Sequence, residues 1–353
     1  MDISGLRKKI DGLDAKIVGL LNDRAQMSLA IGKEKAKHNK SVYAPDREKE
    51  VLERVKSLSK GLVTASALQA IYREIMSCSL ALEKPLNIAV LGQKGSYTYT
   101  AARQIFGLQV SYLGCSTIGE IFQKVEDGEC DYGVVPIENS TEGAVTPTFD
   151  LLADSELKIC RQFLREIRHN LLSNYPKEKI NKIYANPQAL AQCRIWLAHN
   201  MPNIGHIFVS STTDAAVHAA REKNTAAIGS LEVAEEYGLK VIAKNIYDTS
   251  HNTTRFFVIG RNDAAPTGKD RTSILFSIKD KVGALYKMLD PFYKERINLT
   301  KIESRPSKKK AWDYYFFVDF EGHRLDPKVK RALDKLENMC KYLKVLGSYP
   351  VLE

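Results

Sequence analysis

Ser250-His251-Asn252-Thr253-Thr254-Arg255-Phe256-Phe257-Val258-Ile259 is a polar run, closed by an arginine, that passes straight into an apolar β-branched and aromatic run. Residues 256–259 read as a buried strand. Asn252, Thr254 and Arg255 then stand at its mouth on rigid backbone. A hydroxyl, an amide and a guanidinium placed there suit an anionic substrate with a leaving oxygen. An isolated Thr-Thr-Arg reads equally as a polar strand start, so the surrounding chain has to decide. Upstream, short apolar runs alternate with helical stretches. Strands are predicted over 87–91, 110–113, 131–137, 158–163, 180–184, 206–209, 225–228, 240–243 and 255–259. Helices are predicted over 98–106, 118–127, 188–199, 213–222 and 231–237. This alternation predicts an α/β domain over about 86–265 with largely parallel sheets and two lobes around a cleft.

Three loops in that domain carry polar chemistry. Gly92-Gln93-Lys94-Gly95-Ser96-Tyr97-Thr98 follows a strand and opens a helix, where free amides attract anions. It is neither a dinucleotide fingerprint nor a P-loop, so no nucleotide is inferred. Pro136-Ile137-Glu138-Asn139-Ser140-Thr141-Glu142-Gly143 follows another strand and is dense in donors. Asn186-Pro187-Gln188 opens a helix with Gln188 and Gln192 one turn apart. Each loop by itself is also a plausible turn or helix cap.

The N-terminal segment, 1–85, has a different period. Leu6, Ile10, Leu13, Ile17, Leu20, Met27 and Ile31 step by four and three, a coiled-coil-like seam with no proline from 5 to 38. A helix of about 34 residues, roughly 50 Å long, is too long for the core of so small a domain, so its stripe needs a partner, most simply a second copy. Gly12 and Gly19 lie within it and point to close packing. Arg24 occupies the seam between Leu20 and Met27, a costly place for a guanidinium unless anions meet it. Lys35 lies about 20° from Arg24 on the helical wheel, whereas Arg7 lies about 100° away and roughly 25 Å along the axis, where it can serve only the site of an antiparallel partner chain. Two further helices, over 45–58 and 66–83, bring Arg47, Glu48, Ser79 and Glu83 toward Arg24 and Lys35. The plain alternative is a bundle with solvated surface charges.

The C-terminal segment, 271–353, follows a Pro/Gly/Ala linker over 263–269. It reads strand-helix-strand-strand-helix-strand (272–278, 283–294, 298–304, 312–320, 327–341, 342–346), the ferredoxin-like unit. The chain of 353 residues carries a net charge of +10, with its Lys and Arg dispersed. Such a charge suits acidic substrates without demanding nucleic acid. Six scattered cysteines, without CxxC, read as reduced thiols of a cytoplasmic protein. No apolar run reaches the roughly 18 residues that a membrane span requires.

From Leu6-Arg7 through Arg24, Gly32-Lys33, Lys35, Arg47-Glu48, Ser79 and Glu83, the first segment resembles the all-helical chorismate mutase family. The resemblance implies an intertwined dimer whose site borrows Arg7 from the other chain, and rearrangement of chorismate to prephenate without nucleophile, metal or cofactor. Arg7, Arg24, Arg47 and Ser79 would bind substrate, Lys35 and Glu83 would face the ether oxygen, and Glu48 the ring hydroxyl. Glu83 would have to be protonated to donate there. Ala44 stands where some members have Asp.

Thr254-Arg255-Phe256 and the three loops resemble, in order, the prephenate dehydratase family. That implies two lobes like those of periplasmic binding proteins, closing on prephenate and expelling carbon dioxide and the ring hydroxyl. Thr254 would donate to that hydroxyl. Asn139, Ser140, Thr141 and Gln192 would position it, and Arg255 would help with charge or as scaffold. Ala185-Asn186 stands where relatives often have Ser-His, and His169 matches a family position that is as readily structural. Gly283-Ala284-Leu285, Asn298-Leu299-Thr300 and Glu303-Ser304-Arg305-Pro306 resemble the amino-acid-binding motifs of ACT domains, implying feedback inhibition by L-phenylalanine. The combination is that of bifunctional chorismate mutase/prephenate dehydratases, as dimers or tetramers, with no nucleic-acid or membrane partner. Two other readings stay open: a DNA-binding regulator with basic N-terminal helices, and a two-lobed amino-acid sensor without catalysis.

Overall fold

The computed structural model describes residues 2–38, 41–249, 251–278, 282–306 and 314–351. Ser250, and Trp312 and Asp313 at the start of a predicted strand, lie outside the described residues. The chain forms two compact units, one of residues 1–87 with 103–111 and one of 88–102 with 112–353.

In the first unit, α1 (Ile3–Lys37) is capped by Asp2, whose carboxylate accepts from Gly5 N at 2.9 Å. Pro45 opens α2 (Pro45–Leu58), and Thr64 caps α3 (Ala65–Glu83) through Ala67 N at 3.3 Å. Gly32 lets α1 and α3 approach closely, since a Cβ there would stand 3.0 Å from Glu83. The seam of α1 stays uncovered in the single chain: Leu13 is 57% exposed and Leu20 68%. A Cβ at Gly12 or Gly19 would meet nothing within 4 Å, so the close packing expected there does not occur within one chain.

Next along the chain come β1 (Asn87–Leu91), α4 (Tyr97–Phe106), β2 (Ser111–Cys115), α5 (Ile118–Glu126), β3 (Tyr132–Asn139), β4 (Gly143–Ala144), α6 (Thr146–Asp154) and β5 (Lys158–Glu166). The chain then crosses to a second lobe of β6 (Asn170–Ser173), β7 (Lys182–Ala185), α7 (Pro187–Gln192), α8 (Arg194–Asn200), β8 (Gly205–Phe208), α9 (Thr212–Arg221), β9 (Thr225–Gly229), α10 (Leu231–Glu236) and β10 (Lys240–Ala243). It returns as β11 (Thr253–Gly260), which inserts between β3 and β5 in the order β2-β1-β3-β11-β5. The second sheet runs β10-β6-β9-β7-β8.

Both sheets are mixed, which corrects the expectation of largely parallel pairing. β1/β3, β7/β8 and β7/β9 are parallel, but β11 is antiparallel to both neighbours and β6 is antiparallel to β9 and β10. A strand that re-enters from the other lobe is free to run against the strands it left. The helix predicted over 188–199 breaks at Cys193 into α7 and α8.

The remaining strands and helices are β12 (Asp270–Ser277), α11 (Ala284–Lys294), β13 (Leu299–Pro306), β14 (Tyr314–Glu321), α12 (Pro327–Met339) and β15 (Tyr342–Pro350), in sheet order β13-β14-β12-β15. One face of this sheet buries Ile274, Phe276, Val318 and Phe320 against Met288, Phe292 and Leu336 of the helices. The other face gives Leu275, Phe317, Leu346 and Tyr349 to the core of the first lobe, with Ile137, Phe149, Ile159 and Phe257. Gly347 is required at this contact, because any side chain there would strike the backbone of Ile159.

Candidate active sites

In the helical unit, α1 turns two cations onto α3. Arg24 Nη1 donates to Ser79 Oγ, whose own proton goes to Ile75 O at 3.0 Å. Lys35 Nζ lies 2.9 Å from Glu83 Oε2 and donates to Val42 O at 2.7 Å. Ser79 and Glu83 are one turn apart, about 6 Å along the helix. The arginine on the seam therefore meets a buried hydroxyl instead of bulk water, and the Glu83 side chain is only 8% exposed. Arg47 does not join them. It pairs with Glu50 at 2.5 Å on a solvent-facing side of α2, its side chain 52% exposed. Successive residues on a helix diverge by about 100°, and in the single chain Arg47 points away from half-buried Glu48. Arg7 is exposed on α1, and Lys49, which the sequence did not single out, is buried.

In the cleft, antiparallel pairing sets Thr254 opposite Asn139. Asn139 Nδ2 donates to Thr254 Oγ1 and to Asn252 Oδ1, both at 2.8 Å. Asn139 Oδ1 accepts from Thr141 Oγ1 at 2.6 Å and from the Thr141 and Glu142 amides at 3.0 and 3.2 Å. Gln192, from the second lobe, accepts from Asn252 Nδ2 at 2.7 Å and donates to Thr141 Oγ1 at 3.1 Å and Glu142 Oε1 at 3.3 Å. His169 Nε2 lies 2.8 Å from the same Gln192 oxygen, and its Nδ1 lies 3.1 Å from the Tyr97 hydroxyl. Ser140 ties the loop to the strand, donating to His251 O at 2.6 Å and accepting from Thr253 N at 2.9 Å.

Counting donors orders this network. Both Asn139 amide protons are used, Thr141 spends its proton on Asn139, and Gln192 spends its two on Thr141 and Glu142. Thr254 Oγ1 only accepts, so among the described residues its proton remains available to a ligand. Burial pulls the His169 pKa below its ordinary value, against a smaller opposing effect of the Gln192 hydrogen bond. The ring is then neutral with its proton on Nε2, where Gln192 accepts it. Burial likewise pushes the Tyr97 hydroxyl far up.

Arg255 does not reach the cleft, which corrects its assignment to substrate. Alternation on β11 sends it to the opposite face of the sheet from Thr254. There Nη1 meets Asp319 Oδ2 at 2.6 Å, Nη2 donates to Tyr349 OH at 3.0 Å, and the guanidinium stacks over Phe257 at 4.7 Å. Its scaffold role is the one that the geometry supports. Asn186 caps α7, accepting from Gln188 N at 3.0 Å. Asn252, Tyr97 and His169 also belong to the network. Asn252 sat visibly at the strand mouth, but nothing local signalled Tyr97.

In the C-terminal sheet two of the three predicted effector motifs fall at one end. Ser277 and Arg305 both pair with Tyr315, so the exit of β12 toward Gly283, Ala284 and Leu285 lies across β14 from Glu303, Ser304, Arg305 and Pro306 on edge strand β13. Gly283 precedes α11 with φ of 73°, a conformation that favours glycine. Asn298 and Leu299 lie at the opposite end, where Asn298 Nδ2 donates to Glu321 Oε1 at 3.2 Å.

A helical unit with cations turned onto a neighbouring helix, a two-lobed cleft ending on a free hydroxyl donor, and a ferredoxin-like domain together define a multidomain enzyme of small anionic substrates. Residues 6–84 match the family described as chorismate mutase type II, 88–264 prephenate dehydratase, and 272–338 the ACT domain. The bifunctional chorismate mutase/prephenate dehydratase of Aquifex aeolicus is 47% identical over 99% of this chain and 98% of its own length. The prephenate dehydratase of Methanocaldococcus jannaschii is 37% identical over 74% of this chain and 96% of its own. A solved prephenate dehydratase from Arthrobacter aurescens, in complex with L-Phe, superposes with a TM-score of 0.70 at 34% identity, covering 75% of this chain and 90% of that one. The chain belongs to the family of bifunctional chorismate mutase/prephenate dehydratases.

Proposed function

We propose that the chain rearranges chorismate to prephenate in residues 1–85, converts prephenate to phenylpyruvate in 86–265, and is inhibited by L-phenylalanine bound through 271–353. In the mutase, Arg24, Ser79 and a partner chain's Arg7 hold the carboxylates, Lys35 and Glu83 face the ether oxygen, and Glu48 the ring hydroxyl. Holding the compact conformer and stabilising charge on that oxygen is the catalysis. The uncovered α1 seam supports a dimer as the minimum assembly, with a tetramer as the alternative.

In the dehydratase, Thr254 donates to the departing hydroxyl, and Asn139, Thr141, Asn252 and Gln192 hold its oxygen so that its proton points at substrate. The observation that carries this reading is the donor order ending on Thr254. Among the described residues no helix is long and apolar enough to cross a membrane, and a cytoplasmic location is part of the proposal. The test is to feed chorismate and follow prephenate and phenylpyruvate. Both should appear in sequence, and a chain that only binds phenylalanine would produce neither.

A further inference from the structure

The residues next to the two that define the dehydratase donor point the other way, and each is charged. On β3, Asn139 faces Thr254 while its neighbour Glu138 pairs in register with Arg255. On the ACT sheet, Lys301 of β13 pairs in register with Asp319 of β14. The four charges meet across the sheet-to-sheet contact in complementary fashion. Arg255 bonds Asp319 at 2.6 Å, and Lys301 bonds Glu138 at 2.6 Å. The first pair is 9% and 8% exposed, and the Lys301 side chain 14%. Asp319 is held further by Ser273 Oγ at 2.5 Å, and Tyr349 bonds both Ser273 and Arg255. Arg255, Lys301 and Asp319 line one small cavity whose walls include Phe149 and Phe317.

Lys301 stands two residues before Glu303, on the edge strand carrying the Glu303–Pro306 motif. The burial pattern of β13 alternates, so Lys301, Glu303 and Arg305 share one face. A sub-ångström slide or twist of this strand must move the ammonium against the Glu138 carboxylate. Through the backbone of β3, that displacement is one residue from the amide that holds Thr254. Charge pairs at the rim of a packed core favour discrete arrangements over gradual deformation.

We propose that the Glu138–Lys301 and Arg255–Asp319 pairs are the coupling element through which the state of the effector strand reaches Asn139 and Thr254. Glu138 and Arg255 are positioning residues, and Lys301 and Asp319 are their counterparts on the regulatory sheet. The inference rests on the reading of 86–265 as a phenylalanine-inhibited dehydratase.

The test uses full-length protein and two readouts: L-phenylalanine affinity by calorimetry, and dehydratase kcat/KM for prephenate with and without saturating L-phenylalanine. The ratio of the two kcat/KM values is the coupling factor. Mutase activity is the internal control. Lys301→Met and Glu138→Gln avoid the deeply buried pair, so the fold survives. Both should bind L-phenylalanine within about threefold of the parent while the coupling factor falls at least about fivefold toward one. Lys301→Arg keeps the charge and should keep the coupling. A merely structural contact would change thermal stability without changing that ratio. A Lys301→Met enzyme with the parent's coupling factor overturns the inference alone, as does a Lys301→Arg enzyme that is uncoupled. Loss of L-phenylalanine binding in Lys301→Met overturns it too, by moving Lys301 into the effector site. Parent protein that binds L-phenylalanine without inhibition, or lacks dehydratase activity, overturns the underlying reading instead.

Discussion

Replacing Thr254 by valine keeps volume and β-branching and removes one hydroxyl from a residue that is 8% exposed. Two consequences follow. Asn139 Nδ2 keeps its bond to Asn252 but loses the 2.8 Å acceptor on Thr254. A buried N–H without an acceptor costs about 1–3 kcal/mol of stability. The departing hydroxyl loses its donor, and removal of one such preorganised donor lowers kcat about 10²–10³-fold, or about 2.7–4 kcal/mol in the barrier. Because the donor acts on charge that develops in the transition state, kcat should fall far more than KM rises. The assay supplies chorismate and follows both products: prephenate should accumulate at the parent rate while phenylpyruvate formation collapses. Thr254→Ser, which keeps the hydroxyl, should recover most of the rate. Unaltered mutase turnover controls for folding of the helical unit, and calorimetry should retain a transition for the rest. A valine enzyme within about threefold of the parent kcat would refute the assignment, since so small an effect is below that of any oriented donor.

Three further expectations concern the other groups. Arg24→Ala should cost about 10²–10³-fold in mutase kcat/KM by removing a charge-assisted contact to substrate, and leave the dehydratase rate unchanged, as separate assays fed chorismate and prephenate will read. Glu83→Ala should lower mutase kcat/KM about 10²-fold by removing the carboxyl group that meets Lys35 at 2.9 Å, and Glu83→Gln, whose amide can donate to the ether oxygen, should recover most of the rate; an alanine enzyme at the parent rate contradicts that role. His169 has its pKa depressed by burial, so the unfolded chain takes up the proton first as pH falls through the ordinary histidine range near 6.5. Stability of the dehydratase unit should then be fully present above that range and decrease below it. Its activity should show no acid limb at 6.5 itself, and a limb centred there that His169→Gln abolishes would count against a neutral ring.

Most of the architecture was legible because each segment declares its period. The seam of α1 reads as one unbroken helix, and α2 opens at Pro45 as expected. What was missed has local causes. β6 is only Asn170–Ser173, too short to alternate visibly, and α6 starts on Thr146-Pro147, a pair that reads as a turn. Strand directions were misjudged because the alternation of strands with helices says nothing about a strand returning from another lobe. That Arg24 and Lys35 turn onto α3 was legible because a cation on or beside an apolar seam demands a polar partner. Arg47 points away from that pair in the single chain, because the Glu50 carboxylate three residues on supplies an exposed partner.

The misplacement of Arg255 teaches more. Thr-Arg-Phe was read as a single site feature, yet a strand assigns consecutive side chains to opposite faces. Thr254 therefore belongs to the cleft, with Asn139 opposite, while Arg255 belongs to the contact with the ACT sheet, with Asp319 across from it. The same division runs through β3, where Asn139 turns to the cleft and Glu138 to Lys301. One pair of strands thus presents a neutral, donor-ordered surface to one side and a charged, ion-paired surface to the other. Neither surface can shift by a residue without inverting both, so their positions are locked together. A sheet sharing both faces in this way joins the Thr254 hydroxyl to the ACT sheet through two paired strands, with no added element between them.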